Sequence, residues 1–358
     1  MSITTDSFAT AMRRSAALED RIAASPERFR VLSGDRPTAA LHLGHYFATL
    51  ANRVRLQRLG VEVFVVVADY QVITDRDSVA GLADNVRGLV ADHLAAGLDP
   101  DTTTIFAHSA VPALNQLMLP LLSLISVAEL ERNPTVKAEA EASGGRAMSG
   151  LLLTYPVHQA ADILFCHANL VPVGKDQLPH LETTRHLARR FNERYPGGAT
   201  VFDEPDALLT AAPLLLGVDG AKMSKSRGNA IELGASEDHT ARLVRSAKTD
   251  TQRTITYDPD HRPEVANLVL LAALCTGADP AELAESIGDR GASALKAVVA
   301  EAVNERLRPH RRRRADLVAN LEYLDEVLAR GNARANEVAN ETLDRVRETM
   351  EMAYLHGQ

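Results

Sequence analysis

The chain has 358 residues, 46% apolar and 24% charged, which predicts a globular protein of about two domains with a sizeable core. Acidic side chains number 47 against 39 basic ones, and the net charge of −8 argues against a broadly basic nucleic-acid binder while leaving room for a local basic patch. No apolar run approaches the ~20 residues of a membrane helix, the N-terminal stretch lacks the apolar segment of a signal peptide, and Cys166 and Cys275 lie too far apart to suggest a zinc set or a disulfide framework. A reducing cytoplasm is the expected compartment.

Residues 1–28 read as a polar helical extension. "FRVLSG" (29–34) reads as a short strand ending in a glycine turn, and "LHLGHYFATLANRVRLQRLG" as a loop running into a helix that stops at Gly60. "VEVFVVVADY" (61–70) is a continuous β-branched run, the pattern of a strand buried on both faces of a parallel sheet. A helix over 78–97 stops at Gly97, and "TTIFAHS" (103–109) is the next strand. A helical region interrupted by prolines follows to about 168, then a strand and turn in "LVPVGKDQ" (170–177) and a helix in "LPHLETTRHLARRFNERY". This alternation predicts an α/β fold with a doubly wound parallel sheet. Strand signals then vanish, and Leu317, Leu321, Leu324 and Leu328 recur at helical spacing, so residues 233–358 are expected to form a C-terminal α-helical domain.

Two stretches carry chemistry. "PTAALHLGHY" (37–46) falls between the first strand and its helix, where such folds bind ligands. The helix N-terminus favours an anion, Gly44 permits close approach of a flat ring, and His42 and His45 offer hydrogen bonds to phosphate or ribose oxygens. "AKMSKSRGNA" (221–230) sets Lys222 and Lys225 three residues apart, compact charges suited to polyphosphate, between Gly220 and Gly228 as hinges. Taken singly, the histidines could be no more than a helix cap and the lysines a solvated basic loop. His158, His167 and His180 match no zinc spacing and are expected at the surface or in packing, so no metal ligand is assigned among them.

Together, a His-x-Gly-His turn and a complete Lys-Met-Ser-Lys-Ser loop resemble the paired signatures of class I aminoacyl-tRNA synthetases. "LLTYPVHQAADIL" (152–164), "LVPVGKDQLPHLETTRHLARRFN" (170–192), "SGDRPT" (33–38), "AELER" (128–132) and "KTDTQRTITYD" (248–258) are similar to the bacterial-type tryptophanyl enzymes of that class, from about residue 29 onward. The resemblance implies a Rossmann-like catalytic domain over 29–217, with a helical dimer-interface region at 110–160. It also implies the lysine loop at 218–232 and a helical tRNA anticodon-binding domain at 233–358.

By the same resemblance, Asp162 accepts the indole N–H, a sensible pairing because indole has one donor and no acceptor. Tyr155 and Gln177 hold the substrate α-amino group, and Leu32, Val171 and Val173 line the ring pocket. Arg36, Pro37, Thr38, Gly44 and His45 meet ATP, Gly174, Lys175 and Asp176 the ribose side, and Pro213 or Leu214 the adenine. Lys222, Met223, Ser224, Lys225 and Ser226 form the pyrophosphate loop, and His42, His45, Lys222, Lys225 and Ser226 stabilise charge during reaction. ATP as co-substrate with Mg2+, L-tryptophan, tRNA(Trp) and a homodimeric partner are implied; a membrane or DNA is not. Arg308 and Arg311 to Arg314, in "LRPHRRRRADL" near an expected helix start, form either a tRNA-phosphate patch or a solvated face neutralised by nearby acids.

The chain departs from the family pattern at Leu43 (usually Ile), Gln159 (commonly Met), Gln71 (commonly His) and Arg36 (commonly Gln). The departures at Gln71 and Gln159 predict a pocket with altered response to tryptophan analogues. Gln159 before Asp162 also resembles archaeal and eukaryotic-type tyrosyl-tRNA synthetases, which makes a tyrosyl enzyme the nearest rival. A pantetheine-phosphate adenylyltransferase is usually smaller and lacks the second set of motifs, and a non-catalytic regulatory or RNA-binding paralogue would be expected to carry damaged signatures. The chain contains no Trp, as would suit an enzyme still made when tryptophan is scarce, although a rare residue can be absent by chance.

Overall fold

The structure, a computed structural model, describes residues 5–38, 40–74, 78–142, 147–174, 177–196, 200–209, 215–224 and 227–354. Strands β1 (Arg30–Asp35), β2 (Glu62–Val67), β3 (Thr103–Ala107), β4 (Leu170–Val173) and β5 (Asp206–Leu209) form one parallel sheet in the order β3-β2-β1-β4-β5. Four of them fall where the sequence predicts. β5 was not predicted: "DALL" is short, lacks alternation and contains no β-branched residue.

The order reverses between β1 and β4, whose register sets Val31 beside Leu170. In a parallel sheet all strands end on one edge, and ligands bind in the crevice outside that edge where the order reverses. The apolar run of β2 is explained by its neighbours. Val63, Val65 and Val67 face a cluster with Leu50, Val90 and Leu268, whereas Phe64 and Val66 face one with Val157, Phe165 and Leu187. Each face is therefore covered, and no position is left for a polar side chain.

Helix α1 (Thr5–Ala24) buries Leu18 and Ile22, and Ser15 Oγ accepts the Leu209 N–H at 2.9 Å, tying it to β5. After β1 come α2 (Leu43–His45), a π-helical turn (Tyr46–Leu50) and α3 (Ala51–Leu59) as one run stopping at Gly60, then α4 (Leu82–Ala96) stopping at Gly97. The proline-rich region is α5 (Pro112–Leu122), α6 (Val127–Arg132), α7 (Pro134–Ala142) and α8 (Gly150–Phe165), the last continuing through Pro156. Helix α9 (Leu178–Arg194) follows β4. Beyond residue 233 the described elements are α10 (Glu237–Ser246), α11 (Pro263–Thr276), α12 (Pro280–Ile287), α13 (Gly291–Val318) and α14 (Leu321–Thr349), with a single 3-10 turn between α12 and α13.

Two local expectations are corrected. Leu317 and Leu321 do not share a helix, because α13 ends at Val318 and Asn320 caps α14 by accepting the Tyr323 N–H at 3.2 Å. The arginine run lies late in the 28-residue α13 rather than at a helix start, since helical packing carries the chain through Pro309.

Helix α14 returns to the sheet and covers β3, the edge strand. Asn332 Oδ1 accepts the Ala107 N–H at 2.9 Å, Thr342 Oγ1 donates to the Phe165 carbonyl at 2.6 Å, and Ala335, Val338, Ala339 and Leu343 join the second cluster. An exposed edge of unpaired N–H and C=O groups is thereby closed. A Cβ on Gly331 would stand 1.8 Å from the Ile105 carbonyl oxygen, so the helix approaches the strand at backbone distance.

Candidate active site

The strands' shared C-terminal edge supplies Arg36–Thr38 after β1, Asp69–Thr74 after β2, His108 after β3 and Gly174 after β4. The Thr38 N–H donates to the Arg36 carbonyl at 2.8 Å, turning the chain toward α2. Arg36 Nη2 reaches Thr74 Oγ1 at 3.5 Å, and Thr74 Oγ1 donates to the Gln71 carbonyl at 2.8 Å, so two of the family departures meet across the β1 and β2 turns.

The two signatures are physically joined. The Leu43 N–H donates to the Ile231 carbonyl at 3.0 Å and the Leu233 N–H to the Leu41 carbonyl at 2.9 Å, so residues flanking the lysine loop pair with the His-x-Gly-His turn. Met223, buried, comes within 3.6 Å of where a Gly44 Cβ would stand, and His42 Cε1 within 2.9 Å. A side chain larger than hydrogen at residue 44 would press on the His42 ring.

Asn229, a residue the sequence reading did not single out, organises the loop. Its Oδ1 accepts the Ser224 N–H at 2.7 Å, and its Nδ2 donates to Asp219 Oδ1 at 2.7 Å and to the Lys222 carbonyl at 3.1 Å. Gly220 and Gly228 have φ of 82° and 65°, left-handed backbone at the two expected hinge positions. Lys175, Asp176, Pro213, Leu214, Lys225 and Ser226 lie outside the described residues.

His42 precedes α2, and its ring lies 3.8 Å from that of His45. The His42 N–H reaches His45 Nδ1 at 3.3 Å, which assigns the His45 proton to Nε2 and makes that nitrogen the donor. Burial, with the charge of His45 beside it, pushes His42 down to about 4. Burial likewise lowers His45, opposed by Asp35 and aided by Arg53 and Lys222. Both rings are therefore lowered toward the neutral form, and Lys222, with Arg53 behind the turn, supplies positive charge beside them.

Behind the turn lies a network that sequence reading missed. Arg53, buried, donates to Ser33 Oγ at 2.8 Å and the Gly34 carbonyl at 3.1 Å and pairs with Asp35, whose other partner is His93 Nε2 at 3.0 Å. Burial alone would raise the Asp35 carboxyl, but the charge of Arg53 and the hydrogen bonds of His93 and Arg53 hold it far below the usual carboxylate range.

On the other side of the sheet, Leu32, Val171 and Val173 share one apolar cluster with Ala161 and Phe165 of α8. Asp162, also on α8 and buried, has Oδ1 2.7 Å from His108 Nε2. His158 lies one helical turn before Asp162, and its ring stacks on His108 at 4.0 Å and 18°. Burial opposes the His108 proton, but the Asp162 charge and hydrogen bonding prevail and its pKa is raised, whereas burial lowers that of His158. His158 and His180 are buried, so of the two expected places, surface or packing, they take packing. Tyr155 Oη lies 3.2 Å from His180 Nε2, and the Gln177 N–H donates to the Gly174 carbonyl at 3.1 Å where α9 begins. Gln159 is half-buried on α8. His108 escaped sequence reading because it sits in no motif and only the β3–α8 packing brings it to Asp162.

In the basic run, Arg308 pairs with Glu237 and Glu305, Arg314 with Asp92, and Arg311 donates to Asn304 and Thr240.

A parallel sheet whose order reverses between β1 and β4, with the His-x-Gly-His turn after β1 paired to the flanks of the lysine loop, is the arrangement of an enzyme of the class I synthetase type. The family described as tRNA synthetases class I (W and Y) matches residues 24–308, and the chain belongs to it. A tryptophan–tRNA ligase of Treponema pallidum (strain Nichols) is 42% identical over 90% of this chain and 96% of its own length. One from Lactococcus lactis is 39% identical over 90% and 98%. Among solved structures, a tryptophanyl-tRNA synthetase from Campylobacter jejuni, complexed with ADP and tryptophan, superposes with a TM-score of 0.78 at 28% identity, over 90% of this chain and 100% of that one. A tyrosyl-tRNA synthetase from Archaeoglobus fulgidus shares the fold, with a TM-score of 0.62 at 22% identity. Within the family, the chain is of the bacterial tryptophanyl type.

Proposed function

We infer that the chain is a tryptophan–tRNA ligase. It activates L-tryptophan with ATP to tryptophanyl-adenylate and pyrophosphate, then passes the tryptophanyl group to tRNA(Trp). The observation that carries the mechanism is the joining of the two signatures through Leu41, Leu43, Ile231 and Leu233. The tyrosyl alternative is not favoured by relatives of 42% and 39% identity that are tryptophan ligases.

The substrate carboxylate is already ionised at neutral pH, so its attack on the α-phosphorus needs no general base; the chain contributes positioning and charge stabilisation. His45 Nε2 donates to a phosphate or ribose oxygen, and Lys222 and Lys225 carry positive charge for the departing pyrophosphate. Leu32, Val171 and Val173 form the apolar walls for the indole, and Asp162 uses the oxygen turned away from His108 to accept its N–H. Mg2+ is assigned to the ATP phosphates, where it neutralises charge: two histidines and a lysine around the turn suit an anion rather than a hard cation.

Three features support the remaining assignments. Leu119, Val127 and Met148 are large apolar side chains exposed at 68%, 59% and 41%, all within the 110–160 region assigned to a twofold dimer interface. Among the described residues no single helix is long and apolar enough to cross a membrane, and both cysteines are free, in keeping with a cytoplasmic site. The helices beyond residue 233 are assigned to tRNA. Because Arg308, Arg311, Arg313 and Arg314 are engaged within the chain, Arg312 is the member of the run assigned to phosphate.

The test is amino-acid-dependent exchange of pyrophosphate into ATP, with tryptophan and tyrosine side by side. Exchange with tryptophan alone is expected. Exchange with tyrosine alone would transfer Asp162 to a phenol, and no exchange with either, with or without tRNA, would favour a regulatory paralogue.

A further inference from the structure

We infer that His108 is a positioning residue for amino-acid recognition: as the charged partner of Asp162 it holds one oxygen of that carboxylate and leaves the other as a charge-assisted acceptor for the N–H of the substrate ring. This role rests on the proposed assignment of Asp162 to the indole N–H.

Two elements bring the pair together. His108 opens the 3-10 turn that ends β3, on the sheet edge where ligands bind. Asp162 meets it from α8, with His108 Nε2 2.7 Å from Asp162 Oδ1 and the two side chains 0% and 2% exposed. The contact lies off the axis of a good hydrogen bond, so it acts through charge. The groups around the ring suit an imidazolium. Burial works against its proton, and the charges of Asp162 and then Asp69 outweigh it, so the pKa is raised. Asp69, just after β2, is itself fixed by accepting the Tyr70 and Ser109 N–H groups at 3.0 and 2.9 Å. His158, one helical turn before Asp162, lies with its ring flat on that of His108, and burial lowers its pKa, so it resists becoming a second cation. The Tyr70 ring stands 5.8 Å from that of His108 on another side.

A buried carboxylate without a partner is costly and takes up a proton instead. A carboxyl in that state is a neutral acceptor, whereas an ionised one makes hydrogen bonds roughly twice as strong. Pairing at Oδ1 answers the cost of burial without using the second oxygen. Indole has one polar atom and it is a donor, so the strength of a single acceptor decides how well the pocket tells an N–H from a ring without one. The apolar walls, Leu32, Val171 and Val173, recognise area and would hold either ring.

The experiment measures dissociation constants of the full-length chain for tryptophan and for its benzothiophene isostere, in which sulfur replaces the N–H. The wild type should prefer tryptophan by a ratio that stays level between about pH 5.5 and 7, because the paired carboxylate remains ionised well above the ordinary carboxylate range of about 4. Titration elsewhere in the site acts on both ligands alike and cancels in the ratio. His108→Gln and His108→Asn, polar but uncharged, should each cut the preference by about 10-fold at pH 7, the step from a charge-assisted to a neutral hydrogen bond. The loss should fall on tryptophan and recover as pH rises and Asp162 gives up its proton, with kcat of pyrophosphate exchange at saturating tryptophan little changed. A merely structural role would weaken both ligands equally, and that result, or an unchanged preference in a folded variant, would overturn the inference. Circular dichroism identifies which variants fold. If neither does, the wild-type profile decides: a level ratio upholds the role of His108, and a ratio that falls with pH overturns it. A wild type that binds both ligands equally would remove Asp162 from the indole and this inference with it, while tryptophan-dependent pyrophosphate exchange tests the function separately.

Discussion

At the scale of single residues, the two histidines of the His-x-Gly-His turn are held toward the neutral form, and Lys222 supplies positive charge beside them. Removing one charge-stabilising donor of this kind typically costs about 10²–10³ in rate. Lys222→Ala should therefore slow tryptophan-dependent pyrophosphate exchange by that order while leaving tryptophan affinity nearly intact; equal losses in both would remove Lys222 from the transition state. His42 has a further consequence for stability. Its folded pKa, about 4, lies below its unfolded value of about 6.5. The unfolded chain takes up the proton first, so stability falls as pH drops from about 6.5 toward 4. His42→Asn, which stays neutral, should lose less of its urea midpoint between pH 7 and pH 5 than the wild type does. The placing of His42, Gly44 and Lys222 around one turn was legible because a motif is a run of neighbours. Asn229, Arg53 and His108 were not, because each acts on residues that folding alone brings to it.

At the scale of elements, the turn after β1 is held from behind by the Asp35–Arg53–His93 network, which ties β1 to α3 and α4. Taking away Arg53 leaves a largely buried carboxylate without its main partner, and breaking such a pair costs about 3–5 kcal/mol. Arg53→Met should destabilise the fold by that order in denaturant titrations, with partial recovery in the double variant Arg53→Met/Asp35→Asn. Because the Asp35 pKa is depressed, its contribution is complete above the unfolded value of about 3.9 and fades as pH falls below it. Glycine at 331 has an equally local reason. Gly331→Ala forces α14 off the Ile105 carbonyl, and overpacking of this kind costs about 1–3 kcal/mol or more; thermal unfolding of the variant measures it. β2, β3 and β4 were revealed by β-branched residues and β1 by the glycine turn that ends it. β5 and the break between α13 and α14 were hidden, the first by its length, the second because Asn320 caps a helix where the leucine spacing reads straight through.

At the scale of the whole molecule, the apolar side chains left in solvent at Leu119 and Val127 require a covering partner if the chain pairs as assigned. Leu119→Glu combined with Val127→Glu should shift the protein from dimer to monomer in sedimentation velocity, and a wild type that is monomeric at micromolar concentration would remove the assignment. The division of labour along the chain was legible in outline: alternating strands and helices first, helices alone after the lysine loop. What composition could not convey is that the last long helix closes the first domain's sheet. During synthesis β3 emerges from the ribosome well before the residues that will cover it. Until α14 (Leu321–Thr349) has followed, the strand that places His108 beside Asp162 has a bare edge and an incomplete apolar backing. The backing of the face that carries His108 and Asp162 is thus among the last parts of the molecule to be finished, and a chain interrupted between the lysine loop and residue 321 would hold both signature motifs yet lack that backing.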